Sequence, residues 1–409
     1  MQPIIIEKPY TFVPPYTSTI WSSLFLKTGV HRYFLRRSEG VIEHEIRELD
    51  HLRQSVDAGH SILLTPNHPR TADPLAMGYL AEALPCHLYA MASWHLFNQE
   101  WLTRWAIRRM GGFSVNREGV DRQSISTAVD LLAEGKRPLV IFPEGATGRT
   151  NDSLRAMLDG VAFIARAAAK KAQKQSTNKK VVIHPVAIKY RFQGDIQKVA
   201  DQVLSDIEKR LTWRPHSELP ILTRIAKVGL ALLALKEQEF LGDVQTGSLA
   251  QRLDRLINHL LHPIESEWLS APQFGSVVPR VRNIRVKILP EMVQGQVAPE
   301  ERKRRWRQLE DIYLAQQLSC YPPDYLASYP SVDRVLETLE RFEEDLTDKC
   351  RLHGQLKVIL QVAPAIEVSP ERSKGMPSDP LMQQIQVALE SRLSKLALES
   401  PRIPMADAK

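Results

Sequence analysis

The sequence predicts an α/β protein: a mainly parallel sheet flanked by helices, with a large, mostly helical insertion or C-terminal region. Three observations carry this. Between residues 61 and 190 short apolar runs alternate with helix-spaced segments, the rhythm of successive strand–helix–strand units. After about residue 195 the apolar residues recur at helical spacing instead. Strand character returns at 356–362, so a late strand is expected to rejoin the sheet. The expected organisation is an N-terminal helical segment over 1–60, an α/β core over 61–195, a mostly helical insertion over 196–350, and a return strand with a closing helix over 351–409.

Residues 20–60 read as helical, with Trp21, Leu24, Phe25, Leu26, Tyr33, Phe34 and Leu35 apolar beside Arg32, Arg36 and Arg37. Such a helix either packs on its own domain or lies on a membrane surface. SILLT, HLYAMA near 87–92, GFSV at 112–115, RPLVIF at 137–142 and KVVIHPVAIKY at 180–190 read as strands. Helices are expected from Asp121 to Glu134, stopped by Gly135, and over 157–173. Further on, Ile196, Val199, Val203, Ile207 and Leu211 mark one helical stripe, and Leu249, Leu253, Leu256 and Leu260 mark another. VRNIRVKIL at 281–289 alternates and reads as a strand. The Ser- and Pro-rich stretch 369–379 reads as a loop before a closing helix at 380–398.

Apolar content of 43% and charged content of 25% exclude wholesale disorder. The apolar run Val228–Leu235, flanked by Lys227 and Lys236, is too short to span a bilayer, and no transmembrane helix is expected. The N-terminus lacks a basic start followed by an apolar core, so no secretory signal is expected. Cys86, Cys320 and Cys350 are scattered, match no metal spacing, and point to a reducing, cytoplasmic compartment. A net charge of +7 points to an anionic partner.

Three polar clusters follow predicted strands: NHPRTAD at 67–73, SVNREG at 114–119 and FPEGATGR at 142–149. Ligands of open α/β sheets bind outside the carboxyl ends of strands, so these are site candidates. Taken alone, Asp73 could equally cap a helix starting at Pro74. Together the clusters suit a phosphorylated substrate. Arg117 and Arg149 offer fork-like donors, and Gly145 permits close backbone approach.

In order, Asn-His-x-x-x-x-Asp at 67–73, Gly-x-Phe-x-Val-x-Arg at 111–117, Phe-Pro-Glu-Gly at 142–145 and His184-Pro185-Val186 on a strand resemble the four blocks of the glycerolipid acyltransferases, over roughly residues 60–190. The resemblance implies an O-acyltransferase of phospholipid biosynthesis. It would move a fatty acyl group from an acyl-CoA or acyl-carrier-protein thioester to the hydroxyl of a glycerophosphate-type or lysophospholipid acceptor, favouring 1-acyl-sn-glycerol-3-phosphate. It places the general base on His68 and its orienting acid on Asp73, and it puts Arg117, Glu144, Gly145, Thr147 and Arg149 at the acceptor. Glu144 would orient an arginine or bind a glycerol hydroxyl, since a carboxylate repels phosphate. Pro185 would shape a strand end near the acyl chain or simply end the strand.

Two positions depart from the family. Ala146, Thr147 and Gly148 separate Glu-Gly from Arg149, where many members have Thr-Arg-Ser, and Pro69 stands beside the histidine in place of a small polar residue. The acceptor hydroxyl itself attacks, so no Ser or Cys nucleophile is needed and Cys86 is filler. No cofactor and no metal are expected: His87, His95 and His184 have no ligand spacing, and no phosphate-binding loop or dinucleotide glycine pattern occurs. RKRRWR at 302–307, hemmed by Glu300, Glu301, Glu310 and Asp311, reads as a solvated helix face and not as a nucleic-acid site. The expected location is cytoplasmic, peripheral at the inner membrane surface, with an anionic membrane as partner. A non-catalytic, membrane-associated scaffold on the same fold and an acyl-thioester hydrolase are the competing readings.

Overall fold

A computed structural model describes residues 8–84, 86–174, 179–372 and 379–404. The chain forms two compact units, one of Tyr10–Gly194 with Gly354–Ser400, the other built on Asp195–His353. The start of the N-terminal segment and most of the Ser- and Pro-rich stretch lie outside the described residues.

The first unit holds an eight-stranded sheet: β1 (Val41–Arg47), β2 (Ser61–Pro66), β3 (Tyr89–Ser93), β4 (Gly112–Val115), β5 (Leu139–Val140), β6 (Val181–Phe192), β7 (Leu356–Val362) and β8 (Ile366–Glu367). The order is β1-β7-β6-β2-β5-β3-β4, with β8 also on β6. Strands β2 to β6 run parallel, so their carboxyl ends share one edge, while β7 and β8 lie antiparallel to β6. The late strand thus rejoins the sheet. β2 is buried along its whole length and β6 along nearly all of it, and their apolar runs Ile62–Leu64 and Val181–Ile183 fit strands covered on both faces.

The unit's helices are α1 (Ile20–Thr28), α2 (Val30–Glu39), α3 (Leu49–Asp57), α4 (Asp73–Ala76), α5 (Gly78–Ala83), α6 (Trp101–Arg109), α7 (Arg122–Glu134), α8 (Gly160–Lys174) and, after the second unit, α16 (Pro380–Ala397). Ala128 and Leu132 of α7, Ala165 and Ala168 of α8, and Ile385 and Leu389 of α16 pack with Leu63, Phe113 and Ile183 into one core. Asp121 caps α7 by accepting from Ser124 N–H at 2.9 Å, and Gly135 ends it at φ 61°. A side chain at 135 would strike Ser61, so glycine there serves both the turn and the approach to β2.

The expected helix over 20–60 is broken by β1. Gly40, at φ 69°, ends α2, and Val41–Arg47 then pairs in parallel with β7. Its partner is some three hundred residues away, so no local pattern announces the strand. Pro185 is not a terminator: β6 runs through it, level with Thr65 of β2. Arg47 ties β1 to the end of α16 through Glu399, with Nη2–Oε2 at 3.0 Å.

The second unit contains α9 (Ile196–Arg210), α10 (Ile221–Leu241), α11 (Leu249–Leu269), α12 (Val277–Val293), α13 (Pro299–Leu318), α14 (Tyr325–Ser328) and α15 (Val332–Thr347). Residues 281–289, expected as a strand, are helical in α12. Val281, Ile284, Ile288 and Leu289 are buried at helical spacing against Leu256 and Leu260 of α11 and Leu309 of α13, and this stripe outweighs the local alternation. Arg305 of the basic run is likewise not a solvated residue: it is buried over the Trp268 ring and pairs with Glu291 and Glu301.

A repeat emerges from the helical unit. Glu208, Glu237 and Glu265 each accept the backbone N–H eight residues on, from His216, Gln245 and Gln273. Each also binds a guanidinium on the next helix: Arg224, Arg252 and Arg280 respectively. The stretches EQEFLGDVQTGSLAQR (237–252) and ESEWLSAPQFGSVVPR (265–280) share Glu, Glu, Leu, Gln, Gly, Ser and Arg at matching places. Each carboxylate pins the hairpin that follows it.

Candidate active site

β2 ends at Pro66, and the ladder is continued by a side chain. Asn67 Nδ2 donates to the Ile188 carbonyl at 3.0 Å, and Asn67 Oδ1 accepts from Ile188 N–H at 2.7 Å. That amide replaces a strand residue and fixes where the chain turns out of the sheet. The next residue is His68. Its Nδ1 lies 2.7 Å from Asp73 Oδ2, and its side chain is 12% exposed while Asp73 is fully buried.

Asp73 opens α4 but does not cap it; the N-cap residue is Ala72, and the Asp73 side chain turns back toward the loop. Oδ2 also accepts from Arg70 N–H at 2.9 Å, and Oδ1 accepts from the Tyr190 hydroxyl at 2.7 Å. A buried carboxylate needs such donors to stay ionised. Bonding Nδ1–H to it places the imidazole lone pair on Nε2, the tautomer of a poised base. The ring rests on Phe142, with centroids 4.2 Å apart.

From the end of β5, Phe142-Pro143-Glu144-Gly145 makes a turn closed by Gly145 N–H to the Phe142 carbonyl at 3.2 Å, with Gly145 at φ 70°. Glu144 is buried, and its Oε1 accepts from His68 N–H at 2.8 Å and its Oε2 from Arg155 N–H at 3.1 Å. Burial pushes the Glu144 carboxyl above its ordinary range, against the backbone bonds that favour its charge. One oxygen of the carboxylate expected at the substrate therefore braces the histidine loop and the other holds the backbone at Arg155, and each retains a second lone pair.

Thr147 follows in the same loop, and beyond it Gly148 N–H donates to the His68 carbonyl at 2.6 Å and Arg149 N–H to the Pro69 carbonyl at 3.1 Å. A side chain at 148 would press on Glu144 and the His68 carbonyl. Arg149 has φ 58°, an uncommon conformation for a non-glycine residue. Its backbone is thus laid directly along the histidine loop despite the three-residue spacer. Arg117 stands further off, in the loop after β4, three strand positions from β2, or roughly 14 Å at ordinary strand spacing. The parallel order brings that loop to the same edge.

Sequence reasoning placed Asn67 and Phe142 in the motif blocks without giving them a role, and it missed Asn151 and Tyr190. Asn151 grips Tyr190 as Asn67 grips Ile188, with Nδ2 to the carbonyl at 3.1 Å and Oδ1 to the N–H at 2.9 Å. Neither grip carries a local signal, because each asparagine acts on a strand far along the chain. His184 is spent on structure: Nδ1 meets the Ala363 carbonyl and Nε2 the Ser55 hydroxyl, both at 2.8 Å. Burial pushes the Cys86 thiol up to about 11, which keeps it protonated near neutrality. Among the described residues, Glu343, Cys350 and His353 in the helical unit could gather around an ion, but Glu343 already binds Arg351 and His353.

A histidine–carboxylate pair at the carboxyl edge of a mostly parallel sheet is an arrangement able to handle a proton at a bound group. The comparisons narrow this. Residues 44–189 match the family model for the acyltransferase domain, and this part of the chain is an acyltransferase domain of the glycerolipid acyltransferase family. That domain supports an acyltransferase enzyme, and acyl transfer in lipid biosynthesis in general. No curated protein matches the chain.

Proposed function

We propose that the protein transfers a fatty acyl group from a coenzyme A or acyl-carrier-protein thioester to the free hydroxyl of a glycerophosphate-type acceptor, 1-acyl-sn-glycerol-3-phosphate foremost, with His68 as general base. The observation that carries this is the 2.7 Å bond between His68 Nδ1 and the fully buried Asp73, with the ring partly open at the sheet's carboxyl edge. Nε2 takes the hydroxyl proton as the oxygen bonds to the thioester carbon. The carbonyl electrons move to oxygen and return to expel the thiolate, which takes the same proton back from His68. Asp73 balances the transient imidazolium. Arg149, and Arg117 from across the edge, bind the acceptor's phosphate. Gly145 and Thr147 line the approach, and Glu144 holds the His68 backbone while its spare lone pairs take a glycerol hydroxyl. The thioester is a co-substrate, and no cofactor or metal enters.

Purified protein given labelled acyl thioester and lysophosphatidate is expected to form the diacyl product, and His68→Ala to slow it by about 10² to 10⁴-fold, the usual worth of a positioned base. Full activity in the variant would sink the mechanism. Free fatty acid as the sole product would favour thioester hydrolysis, and no turnover with either donor would favour a scaffold.

The reaction is placed at the cytoplasmic face of a membrane, with no nucleic-acid partner. Among the described residues, no helix is long and apolar enough to cross a bilayer. Support for surface binding comes from α1 and α6, joined by Trp21 and Trp105 with ring centroids 4.8 Å apart. Their Ile20, Leu24, Trp101 and Leu102 are exposed, beside Lys27 and Arg104. Apolar side chains with basic neighbours suit an anionic lipid surface. Flotation with phosphatidylglycerol vesicles is expected for the wild type and should fall several-fold for Trp101→Glu/Leu102→Glu; equal flotation would remove the membrane from this account.

A further inference from the structure

We propose that Tyr190 is a positioning residue of the acyl-transfer site, its hydroxyl fixing the Asp73 carboxylate so that Oδ2 faces His68 while Oδ1 is held from behind. The proposal rests on the reading of His68 as the base. Tyr190 lies one residue beyond the stretch that matches the family model.

Asp73 has no access to water, and its two oxygens receive three donors: His68 Nδ1–H, Arg70 N–H and the Tyr190 hydroxyl. Of these, only the last reaches Oδ1. Without it the carboxylate can rotate, and the oxygen that should face the imidazole loses its fixed direction. The tyrosine is itself held from several sides. Asn151 clamps its backbone, Asn67 clamps Ile188 two residues earlier, and Lys189 between them forms a fully buried ion pair with Asp152 at 2.5 Å. Such a pair contributes little net stability, but a shift of the strand would leave both charges buried and unpaired. Three polar grips within residues 188–190 thus converge on the one hydroxyl that meets Asp73.

The hydroxyl keeps its proton. Burial, then the Asp73 charge, pushes the Tyr190 phenol well above its ordinary range, so it donates at every pH the protein would meet. The charged groups facing this cluster are Arg70, whose guanidinium lies 5.5 Å from the Tyr190 ring centroid, Glu39, Glu144 and Arg155. A donated hydrogen bond draws charge from the carboxylate. Its removal leaves more of that charge to stabilise the imidazolium, so His68 should hold its proton to higher pH.

The test is Tyr190→Phe, read by proton NMR titration of the His68 Cε1–H signal, identified by its loss in His68→Gln. The midpoint is expected to rise by about half a unit or more, and the acid limb of kcat/KM to move with it, giving about a threefold loss below the midpoint with KM little changed. An unmoved midpoint overturns the proposal, even where the variant is less stable; a lowered one would mean that the freed carboxylate has turned away from the ring, the other consequence of losing the positioning bond. Should Tyr190→Phe fail to fold, 3-fluorotyrosine incorporated throughout gives a more acidic, stronger donor and should lower the midpoint; no movement again overturns it. The titration needs no substrate. A moved midpoint in a protein that transfers no acyl group would defeat the base assignment and leave the positioning role standing, while transfer with an unmoved midpoint does the reverse.

Discussion

Two sets of carboxylates, one in each unit, are partnered in opposite ways. In the helical unit Glu208, Glu237 and Glu265 each take one backbone N–H and one arginine, so their charge is cancelled where it arises. In the sheet unit Asp73 takes an imidazole, a phenol and an amide N–H, and Glu144 takes the N–H groups of His68 and Arg155. The first arrangement is complete in itself. The second leaves negative charge beside a titratable ring, which is of use only when that ring becomes positive during a reaction. On the proposed function, the difference separates carboxylates that hold helices together from those arranged for chemistry.

Exchanging charge without changing shape sharpens this contrast most. Asp73→Asn keeps an acceptor for Tyr190 but removes the countercharge and turns an amide N–H₂ toward Arg70 N–H and His68. Turnover is expected to fall by about 10²-fold or more while the thermal midpoint moves little by comparison. Undiminished turnover would erase the distinction. Glu265→Ala should do the opposite. It strands Arg280, which is buried, and loss of one partner of a buried pair costs about 3–5 kcal/mol. Urea unfolding should show that loss, while the acyl-transfer rate per folded molecule stays near wild type.

How much of this was legible in the sequence follows from distance along the chain. β2, β4, α7 and β6 announce themselves by apolar period and by caps such as Asp121 and Gly135, all local signals. β1 does not, since only pairing with β7 makes Val41–Arg47 a strand. His68 and Asp73 lie five residues apart and could be read as a pair. Tyr190, 117 residues from Asp73, could not, because a tyrosine on an apolar strand looks like core until its hydroxyl is placed. The helical repeat was present in the letters from 237 to 280, but its meaning lies in a carboxylate reaching an arginine on the next helix. Helical period alone marks which residues are buried and not which charges meet.

The smallest expected effect is also the one in which the two classes of carboxylate differ in sign. Arg252 beside Glu237 holds its carboxyl below the usual range, outweighing the cost of burial. Its folded form therefore binds a proton less readily than the unfolded chain, so its stabilisation is present above the ordinary carboxylate pKa and is lost as pH falls through the lower folded value. Glu144 runs the other way. Burial raises its folded pKa, so the folded protein holds a proton the unfolded chain has released, and stability falls as pH rises from the ordinary carboxylate value through the raised one. Urea midpoints measured from pH 4 to 7 should show the wild type gaining on Glu237→Gln as pH rises and losing ground to Glu144→Gln over the same direction. The offset between wild type and Glu144→Gln also contains a constant part, because the glutamine N–H₂ must face one of the two N–H groups that the carboxylate accepted. Only the slope reports the titration, and slopes of the same sign for both variants would mean that the fold favours the charged form of Glu144 as it does that of Glu237.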